Sequence, residues 1–157
     1  MANAEHLDLI RQGAGMWNFW KQKNFGVQVD LSKAILNEVD FTGKDLSGAD
    51  LSKADFSGAN LKSVNFTQAD LSGADLSEAN FSQVILSRAN FTLAKLCRAN
   101  LSGINLTGVN FSQANLSGTD LTSAKLNGAN LFRAILKQAN LSGADFSEAN
   151  ISGADFR

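Results

Sequence analysis

The chain has 157 residues, a formal net charge of −1 and a single cysteine, and it contains neither proline nor tyrosine. A net charge this close to zero argues against a strongly basic nucleic-acid-binding domain and against a strongly acidic mimic of nucleic acid. One cysteine excludes an internal disulfide, and no apolar run approaches the roughly 18 residues that a membrane-spanning helix needs. The first eight residues carry no Lys or Arg and so lack the basic start of a signal peptide, which leads us to expect a cytoplasmic location.

The N-terminal segment, residues 1–28, is predicted to form a helical cap. Apolar residues recur there at the spacing of one helix face, namely at Leu7, Ile10, Ala14 and Trp17. Asn3 is a suitable N-cap, and Gly13 predicts a bend or a break into two short helices. Both tryptophans and Phe19 need cover, which they find if the segment packs on the open end of the remaining chain. Docking of the same aromatic residues to a partner is the alternative.

From Leu31 to Phe156 every fifth residue is Leu, Phe or Ile, which makes 26 units without a break. We call this large residue the centre of its unit. A small residue, mostly Ala, stands two positions before the centre, Asp or Asn stands one before it, and Ser or Thr mostly follows. A period of five fits neither a helix nor an ordinary strand, and two apolar positions flanking one polar position point the same way in extended backbone. Each unit is therefore predicted to be a short extended side followed by a corner, and units must stack to bury their apolar pairs.

This motif, A-[D/N]-[L/F]-[S/T]-x, resembles the pentapeptide-repeat family over residues 29–157, and the segment around Trp17 and Trp20 is similar to the leader of cyanobacterial members. The resemblance implies an all-β solenoid, a right-handed quadrilateral β-helix with four units in each coil of twenty residues, preceded by the N-terminal α-helical cap. Residues twenty apart then lie one above the other, so Phe91 is expected to stack on Phe111 inside the coil. The Asp, Asn, Ser and Thr side chains are expected to bond to the nearby turn backbone.

Departures from the motif carry the remaining information. Lys44 occupies a small inward position, where an unpaired ammonium is costly, so its stem is expected to snorkel outward or its amine to reach a carboxylate. Apolar residues occupy five outward positions: Ile35, Ile85, Leu93, Phe132 and Ile135. Charge is also uneven, because residues 30–80 carry a net charge of −5 and residues 81–140 a net charge of +5.

Counting units around the four walls brings several departures together on wall two, the wall that contains the centre Leu36 and every fourth centre after it. The resulting mixed patch spans the fourth to sixth coils and consists of Leu93, Lys95, Arg98, Phe132, Arg133, Ile135 and Lys137. Arginine and exposed aromatic residues are enriched at contact surfaces. The mixed patch is therefore our candidate protein-binding site.

No catalytic, cofactor-binding or metal site is predicted. The only histidine, His6, lies in the predicted cap and is expected to be a surface or cap residue, and Cys97 stands where Ser usually follows the centre. The sequence has no glycine-rich phosphate loop and no Cys/His spacing for zinc. A flat column of carboxylates, such as Asp30, Asp50 and Asp70, supplies too few ligands for calcium. We therefore expect a protein that is not an enzyme and has no cofactor.

The favoured function is that of a cytoplasmic interaction or scaffold protein, which offers rigid walls to an unidentified protein partner and not to a membrane. The alternative, implied by members of the resembled family that confer quinolone resistance, is a DNA-mimicking inhibitor or protector of DNA gyrase (topoisomerase II), which needs a strongly negative surface. Direct nucleic-acid binding through the basic coils is a third hypothesis, although the net charge is low for it.

The last units, with Ile151 and Phe156, present apolar side chains at an open end. Either the last coil frays, or it stacks end to end on a second copy to form a homodimer.

Overall fold

The structure is a computed structural model and describes residues 1–37 and 39–157. Two short helices, α1 (Ala4–Ile10) and α2 (Ala14–Lys23), come first. From Asp30 onward, single residues form parallel β-bridges with residues twenty positions later, and the last such bridge joins Ile135 to Asp155. The chain is therefore a β-solenoid with four five-residue units in each coil, whose handedness stays a prediction.

We number the coils from residue 31, so that coil one is 31–50 and coil six is 131–150, and we number the walls by the order of the four centres in a coil. Hydrogen bonds parallel to the solenoid axis join successive coils. The N–H of Leu51 donates to the carbonyl of Asp70 over 2.8 Å, and the N–H of Asp70 donates to the carbonyl of Ala49 over 2.9 Å. Because this ladder runs through most of the solenoid, each wall is a rigid array of short extended segments.

Each corner is a β-turn. In coil two the N–H of Ala54 donates to the carbonyl of Leu51 over 3.1 Å, and Lys53 at the third turn position has a φ of 58°, as a type II turn requires. The N–H of Ser52 donates to Oδ1 of Asp50 over 3.0 Å, which is the bond of an Asx-turn. The structural role predicted for the Asp and Asn positions is therefore confirmed.

The core is a stack of the centres inside the solenoid. Every centre from Leu31 to Leu136 is buried, and so are most of the small residues two positions before them. Phe91 and Phe111 stack with their ring centroids 5.1 Å apart and an interplanar angle of 23°. This contact confirms the predicted twenty-residue coil at the level of individual side chains.

The two helices cover the start of the solenoid, and the predicted break near Gly13 separates them. Their groups replace the bonds that a preceding coil would make with coil one. The N–H of Asp30 donates to Nδ1 of His6 over 3.0 Å, and the indole N–H of Trp17 donates to the carbonyl of Asp45 over 2.7 Å. The N–H of Asp45 donates to Oδ1 of Asn18 over 2.8 Å. The open edge of coil one is thus paired on walls one and four.

Lys44 does not behave as expected. The residue is only 2% exposed, its Nζ donates to the backbone carbonyl of Asp40, and Nζ lies 5.6 Å from the centroid of the Phe41 ring. Both predicted arrangements are wrong, because the stem stays inside and the partner is a carbonyl oxygen and not a carboxylate. Burial lowers the pKa of Lys44, and the Asp40 carboxylate opposes that shift.

A column of side-chain amides runs along wall one, parallel to the solenoid axis. Asn150, Asn130, Asn110 and Asn90 each donate through Nδ2 to Oδ1 of the residue one coil below, over 3.0–3.2 Å, and the column ends at Asp70. All of these bonds point in one direction along the solenoid axis. They reinforce the backbone ladder from the outside.

Candidate protein-binding wall

The register of the solenoid brings the mixed patch together. Lys95 pairs with Asn115, and Asn115 pairs with Ile135, so Lys95 and Ile135 stand in one column of wall two. Two coils separate them, which corresponds to about 10 Å. Leu93 and Arg133 are forty positions apart and occupy equivalent corners at the border with wall one. The structure therefore brings the predicted residues onto one side of coils four to six.

The apolar members of the mixed patch face solvent. Leu93 is 58% exposed, Ile135 37% and Phe132 36%. The guanidinium carbon of Arg133 lies 5.0 Å from the centroid of the Phe132 ring, a cation–π contact. A partner that covers these side chains would bury apolar area that the protein's own core does not use.

The cations of the mixed patch have partners that sequence reasoning missed. Lys95 Nζ lies 3.4 Å from Asp75 Oδ2, Arg98 forms an ion pair with Glu78, and Lys137 Nζ lies 3.4 Å from an oxygen of the Asp155 carboxylate. The signal was available, because two of these pairs join opposite charges exactly one coil apart in a twenty-residue register. The patch is therefore locally balanced in charge and not simply basic.

The ion pairs shift the pKa values of Arg98 and Asp155. Hydrogen bonding to the Glu78 carboxylate, with its charge, raises the pKa of Arg98. Hydrogen bonds from Arg157, and more weakly from Lys137, hold the pKa of Asp155 well below its usual range. Because solvent reaches these groups and screens their charges, the pairs are expected to add little to stability.

Two corner glycines make room for the arginine stems. A Cβ at Gly118 would stand 3.2 Å from Cγ of Arg98, and a Cβ at Gly153 would stand 3.2 Å from Cγ of Arg133. Any larger residue at these corners would have to displace the stem beneath it. The shape of the mixed patch therefore depends on residues that carry no side chain.

The other outward apolar residues lie elsewhere. Ile35, which is 71% exposed, stands at the bottom of the column that contains Lys95, three coils below it. Ile85, which is 52% exposed, belongs to wall four, on the opposite side of the solenoid. Neither residue contributes to the mixed patch.

The remaining candidates for chemistry have structural surroundings. His6 is buried in the cap, where its ring packs edge-on against Trp20 at a centroid distance of 5.1 Å. Of the two predicted locations, surface or cap, His6 therefore occupies the cap. Cys97 is a half-buried free thiol beside the mixed patch. Within residues 1–37 and 39–157, no cluster of three His, Cys, Asp or Glu residues could hold a metal ion. In the same part of the chain, neither helix is long and apolar enough to cross a membrane.

Comparison with known proteins agrees with this geometry. The family model for pentapeptide repeats matches in eight copies, over residues 27–62, 65–103, 74–113, 99–138 and 124–157. No curated protein sequence matches the chain significantly.

Among solved structures, HetL, a pentapeptide repeat protein involved in heterocyst differentiation regulation in the cyanobacterium Nostoc sp. strain PCC 7120, is 33% identical, with 81% of this chain and 63% of HetL covered and a TM-score of 0.42. A pentapeptide repeat protein of the Arabidopsis thaliana thylakoid lumen is 35% identical, with 70% and 66% covered and a TM-score of 0.37. QnrB1, a plasmid-mediated fluoroquinolone resistance protein, is 20% identical, with 82% and 84% covered and a TM-score of 0.41. The chain thus spans slightly under two thirds of the first two proteins, and the family model together with the twenty-residue coil assigns it to the pentapeptide-repeat family.

Proposed function

We propose that the protein is a non-enzymatic interaction protein that docks a protein partner on wall two through the mixed patch. The observation that carries this proposal is the group of solvent-facing apolar side chains, Leu93, Phe132 and Ile135, beside the arginines of the same wall. Aromatic residues and arginine supply most hot spots of protein interfaces.

The rigidity of the wall supports the same function. Leu96 and Leu116, two centres of wall two, donate to carbonyls one coil further on over 2.8 and 2.7 Å, so the backbone beneath the mixed patch is already ordered. A preordered surface loses little conformational entropy when it binds. The wall can therefore hold a partner without reorganising.

The charge distribution favours a protein over a nucleic acid as the partner. Because Lys95, Arg98 and Lys137 are paired with carboxylates, the mixed patch lacks the unpaired cation array that phosphate backbones require. Binding is therefore expected to depend on contact and shape, and to weaken only modestly with added salt. A steep loss of affinity between 50 and 200 mM salt, about a thousandfold, would instead indicate a nucleic-acid partner.

Affinity capture from the native cell with a set of variants tests the proposal. Phe132→Ser and Ile135→Ser remove the apolar contacts and should abolish capture of the partner, while charge reversal of Lys95, Arg98 and Arg133 should weaken it. Ile35→Ser is the matched control, because it removes an exposed isoleucine of the same wall outside the mixed patch.

Phe19→Ser tests the rival docking surface on α2, since Phe19 is 58% exposed there. A partner that survives the changes at Phe132 and Ile135 but is lost with Phe19→Ser would assign binding to the helical cap and overturn the proposal.

A second candidate function is a DNA-mimicking ligand of gyrase. It is favoured by the net charge of −5 over residues 30–80, but residues 81–140 carry +5, so the molecule lacks a continuous acidic surface. A supercoiling assay decides between the two candidates. Neither inhibition of gyrase nor protection from quinolones is expected, and either effect at stoichiometric concentration would replace the first proposal by the second.

End-to-end association stays a proposal as well. Ile151 is 47% exposed and Phe156 is 42% exposed, and a second copy stacked on them would bury both. Light scattering over a concentration series is expected to show a dimer that Phe156→Asp converts to monomer. A monomer at all concentrations would exclude this association.

A further inference from the structure

Among the described residues the backbone ladder is interrupted at two places: on wall three between Phe41 and Asn60, and on wall four between coils three and four. The interruption on wall four lies within residues 71–110, all of which are described. There the N–H of Leu86 forms no bond with the carbonyl of Asn105, nor does the N–H of Asn105 bond to the carbonyl of Val84. The equivalent bond one coil below, from Phe66 to Ile85, measures 2.8 Å. Coils three and four therefore lack ladder hydrogen bonds on wall four, whereas the coil pairs below and above them are hydrogen-bonded on the same wall.

The separation changes gradually around the coil. Between the same two coils, the N–H of Leu76 lies 2.7 Å from the carbonyl of Lys95 on wall two, and the N–H of Phe81 lies 3.2 Å from the carbonyl of Asn100 on wall three. Beyond the interruption the ladder is closed again on wall one, where the bond from Asn110 to Ala89 measures 3.3 Å and the bond from Phe91 to Asn110 measures 2.7 Å. The two coils are thus closed on wall two and open on the opposite wall, like a wedge.

Two side chains account for the wedge. Val84 and Ile104 occupy successive small positions of one inward column, and both are 8% exposed, whereas the alanine at the next position, Ala124, is 0% exposed. Ile104 above Val84 needs more height than Ala on Ala, and a close-packed interior cannot absorb the excess. Val64 and Val84, also two β-branched residues in this column, stack with the ladder closed, and so do Ile104 and Ala124. We therefore assign the opening to the larger Ile104 side chain above Val84.

The wedge contains a cavity of about 460 Å³. Its lining includes Val84, Ile85, Leu86, Arg88, Asn105 and Thr107. The residues that carry the N–H donors and carbonyl acceptors of the interrupted ladder line it, and water satisfies such a mixed set better than an ion of either sign does. The cavity therefore lets solvent replace ladder bonds at low cost.

The opposite wall holds the two coils together. The ion pairs of Asp75 with Lys95 and of Glu78 with Arg98 both join coil three to coil four on wall two. They also lie where the acidic half of the solenoid, residues 30–80, meets the basic half, residues 81–140. The attraction between the acidic and the basic half of the solenoid thus acts on wall two, where the ladder between coils three and four is intact.

We propose that the junction of coils three and four is a one-sided hinge. Wall two is its axis, wall four opens and closes around the cavity, and the coils on either side move as two rigid bodies. The mixed patch lies entirely on the upper body, so hinge motion changes its direction relative to the helical cap and leaves its internal geometry unchanged. This inference does not depend on the identity or existence of a partner.

Amide hydrogen exchange followed by NMR on the full chain tests the hinge. The amides of Leu86, Arg88 and Asn105 are expected to exchange at least about tenfold faster than those of Leu76 and Lys95, which lie between the same coils on wall two. Equal protection on both walls would overturn the proposal.

Ile104→Ala provides a sharper test, because the hinge and an ordinary core residue predict opposite results. Removing the wedge should close the ladder and slow exchange at Leu86 and Asn105, although loss of core methyl groups normally speeds exchange. Val64→Ala is the matched control in the same column, where the ladder is already closed, and it should speed exchange of the neighbouring Ile85 amide. Ile104→Val is a milder variant that should act in the same direction as Ile104→Ala, and faster exchange at Leu86 in both Ile104 variants would contradict the hinge.

Discussion

The two ends of the solenoid are built from the same motif but differ in burial. In coil one the centres Leu31, Leu36, Phe41 and Leu46 are 0% exposed. In the last units, by contrast, Ile151 is 47% and Phe156 is 42% exposed. The difference arises because α1 and α2 cover the first coil, whereas within the described residues the last units contact a coil on one side only. Burial in a repeat protein therefore depends on adjacent layers and not on the motif itself.

The backbone edges differ in the same way. At the first coil, His6, Asn18 and Trp17 pair with the N–H and carbonyl groups of Asp30 and Asp45. In the last coil, the N–H groups of Phe146 and Ile151 have no backbone partner within the described chain. The helical cap thus supplies both apolar cover and hydrogen bonds, and the two contributions can be tested separately.

The largest expected effect is a difference in the stability lost when the centre phenylalanine at either end, Phe41 or Phe156, is replaced by alanine. Phe41→Ala should destabilise the protein by about 3–5 kcal/mol, because the ring is fully buried and packs 5.1 Å from the ring of Phe56. Phe156→Ala should cost less than about 1 kcal/mol. Urea unfolding followed by circular dichroism measures both values. Equal losses would show that the last units are covered in solution.

Replacing a small inward residue by a large one should also destabilise the covered part of the solenoid more than its last units, although by less than the loss of Phe41. Ala74→Phe forces a large ring into a fully buried small position and should cost about 1–3 kcal/mol. Ala154→Phe introduces the same ring at a half-buried position of the last units, where it can turn toward solvent, and should cost less than about 1 kcal/mol. Thermal unfolding of both variants measures the loss of stability. A larger loss for Ala154→Phe than for Ala74→Phe would contradict the difference in burial between the two ends.

A third variant isolates the hydrogen bonds of the cap. Trp17→Phe keeps most of the buried apolar contact but removes the indole N–H that pairs with the Asp45 carbonyl, which should cost about 1–2 kcal/mol. Trp20→Phe is the control, because Trp20 is only half-buried and packs at the edge of the core. If the two variants are equally stable in urea, the cap acts through apolar cover alone.

The smallest expected effects are pH dependences at the two ends, which have the same sign but lie in different windows, one below the usual lysine pKa and one in the acid range. Burial lowers the pKa of Lys44, so the unfolded chain binds more protons than the folded one between that lowered pKa and the unfolded value of about 10.4. The free energy of unfolding should therefore rise with pH across this window. Lys44→Met should remove this rise, as urea titrations at several alkaline pH values would reveal. A pH dependence that Lys44→Met leaves unchanged would assign it to another group.

At the other end, hydrogen bonds from Arg157 lower the pKa of Asp155. Its contribution is present above the unfolded pKa of about 3.9 and is lost as the pH falls through the lower folded value. Asp155→Asn should make the acid limb of the stability profile slightly shallower. An unchanged acid limb in this variant would mean that the Arg157 contact does not form in solution.

Much of the fold followed from the five-residue period. The stack of Phe91 on Phe111 could be predicted because a twenty-residue coil places residues with no local contact above one another, and the break near Gly13 followed from helix propensity. The carbonyl partner of Lys44 could not be predicted, since the sequence does not reveal which backbone oxygens point inward. The spacing grouped the mixed patch correctly on one wall, and its role in binding stays a prediction.

Two features could have been predicted from the sequence but were not: the ion pairs of wall two and the bulky inward residues of wall four. Opposite charges one coil apart, as in Glu78 and Arg98, predict ion pairs once the coil length is known. Likewise, Val84 and Ile104 are two bulky residues, one coil apart, at inward positions where a small residue usually stands. Both signals require comparison between coils, whereas the motif describes only neighbours within one coil.

The coil length also constrains how such a chain can change during evolution. Deleting one five-residue unit would preserve every inward side chain, yet it would rotate all later units by a quarter turn, so that the residue now at Lys95 would no longer stand over Asp75. Duplicating or deleting twenty residues would keep every column aligned, including the amide column that ends at Asp70. The interior tolerates length changes in steps of five, but the side-chain columns on the outer walls tolerate them only in steps of twenty.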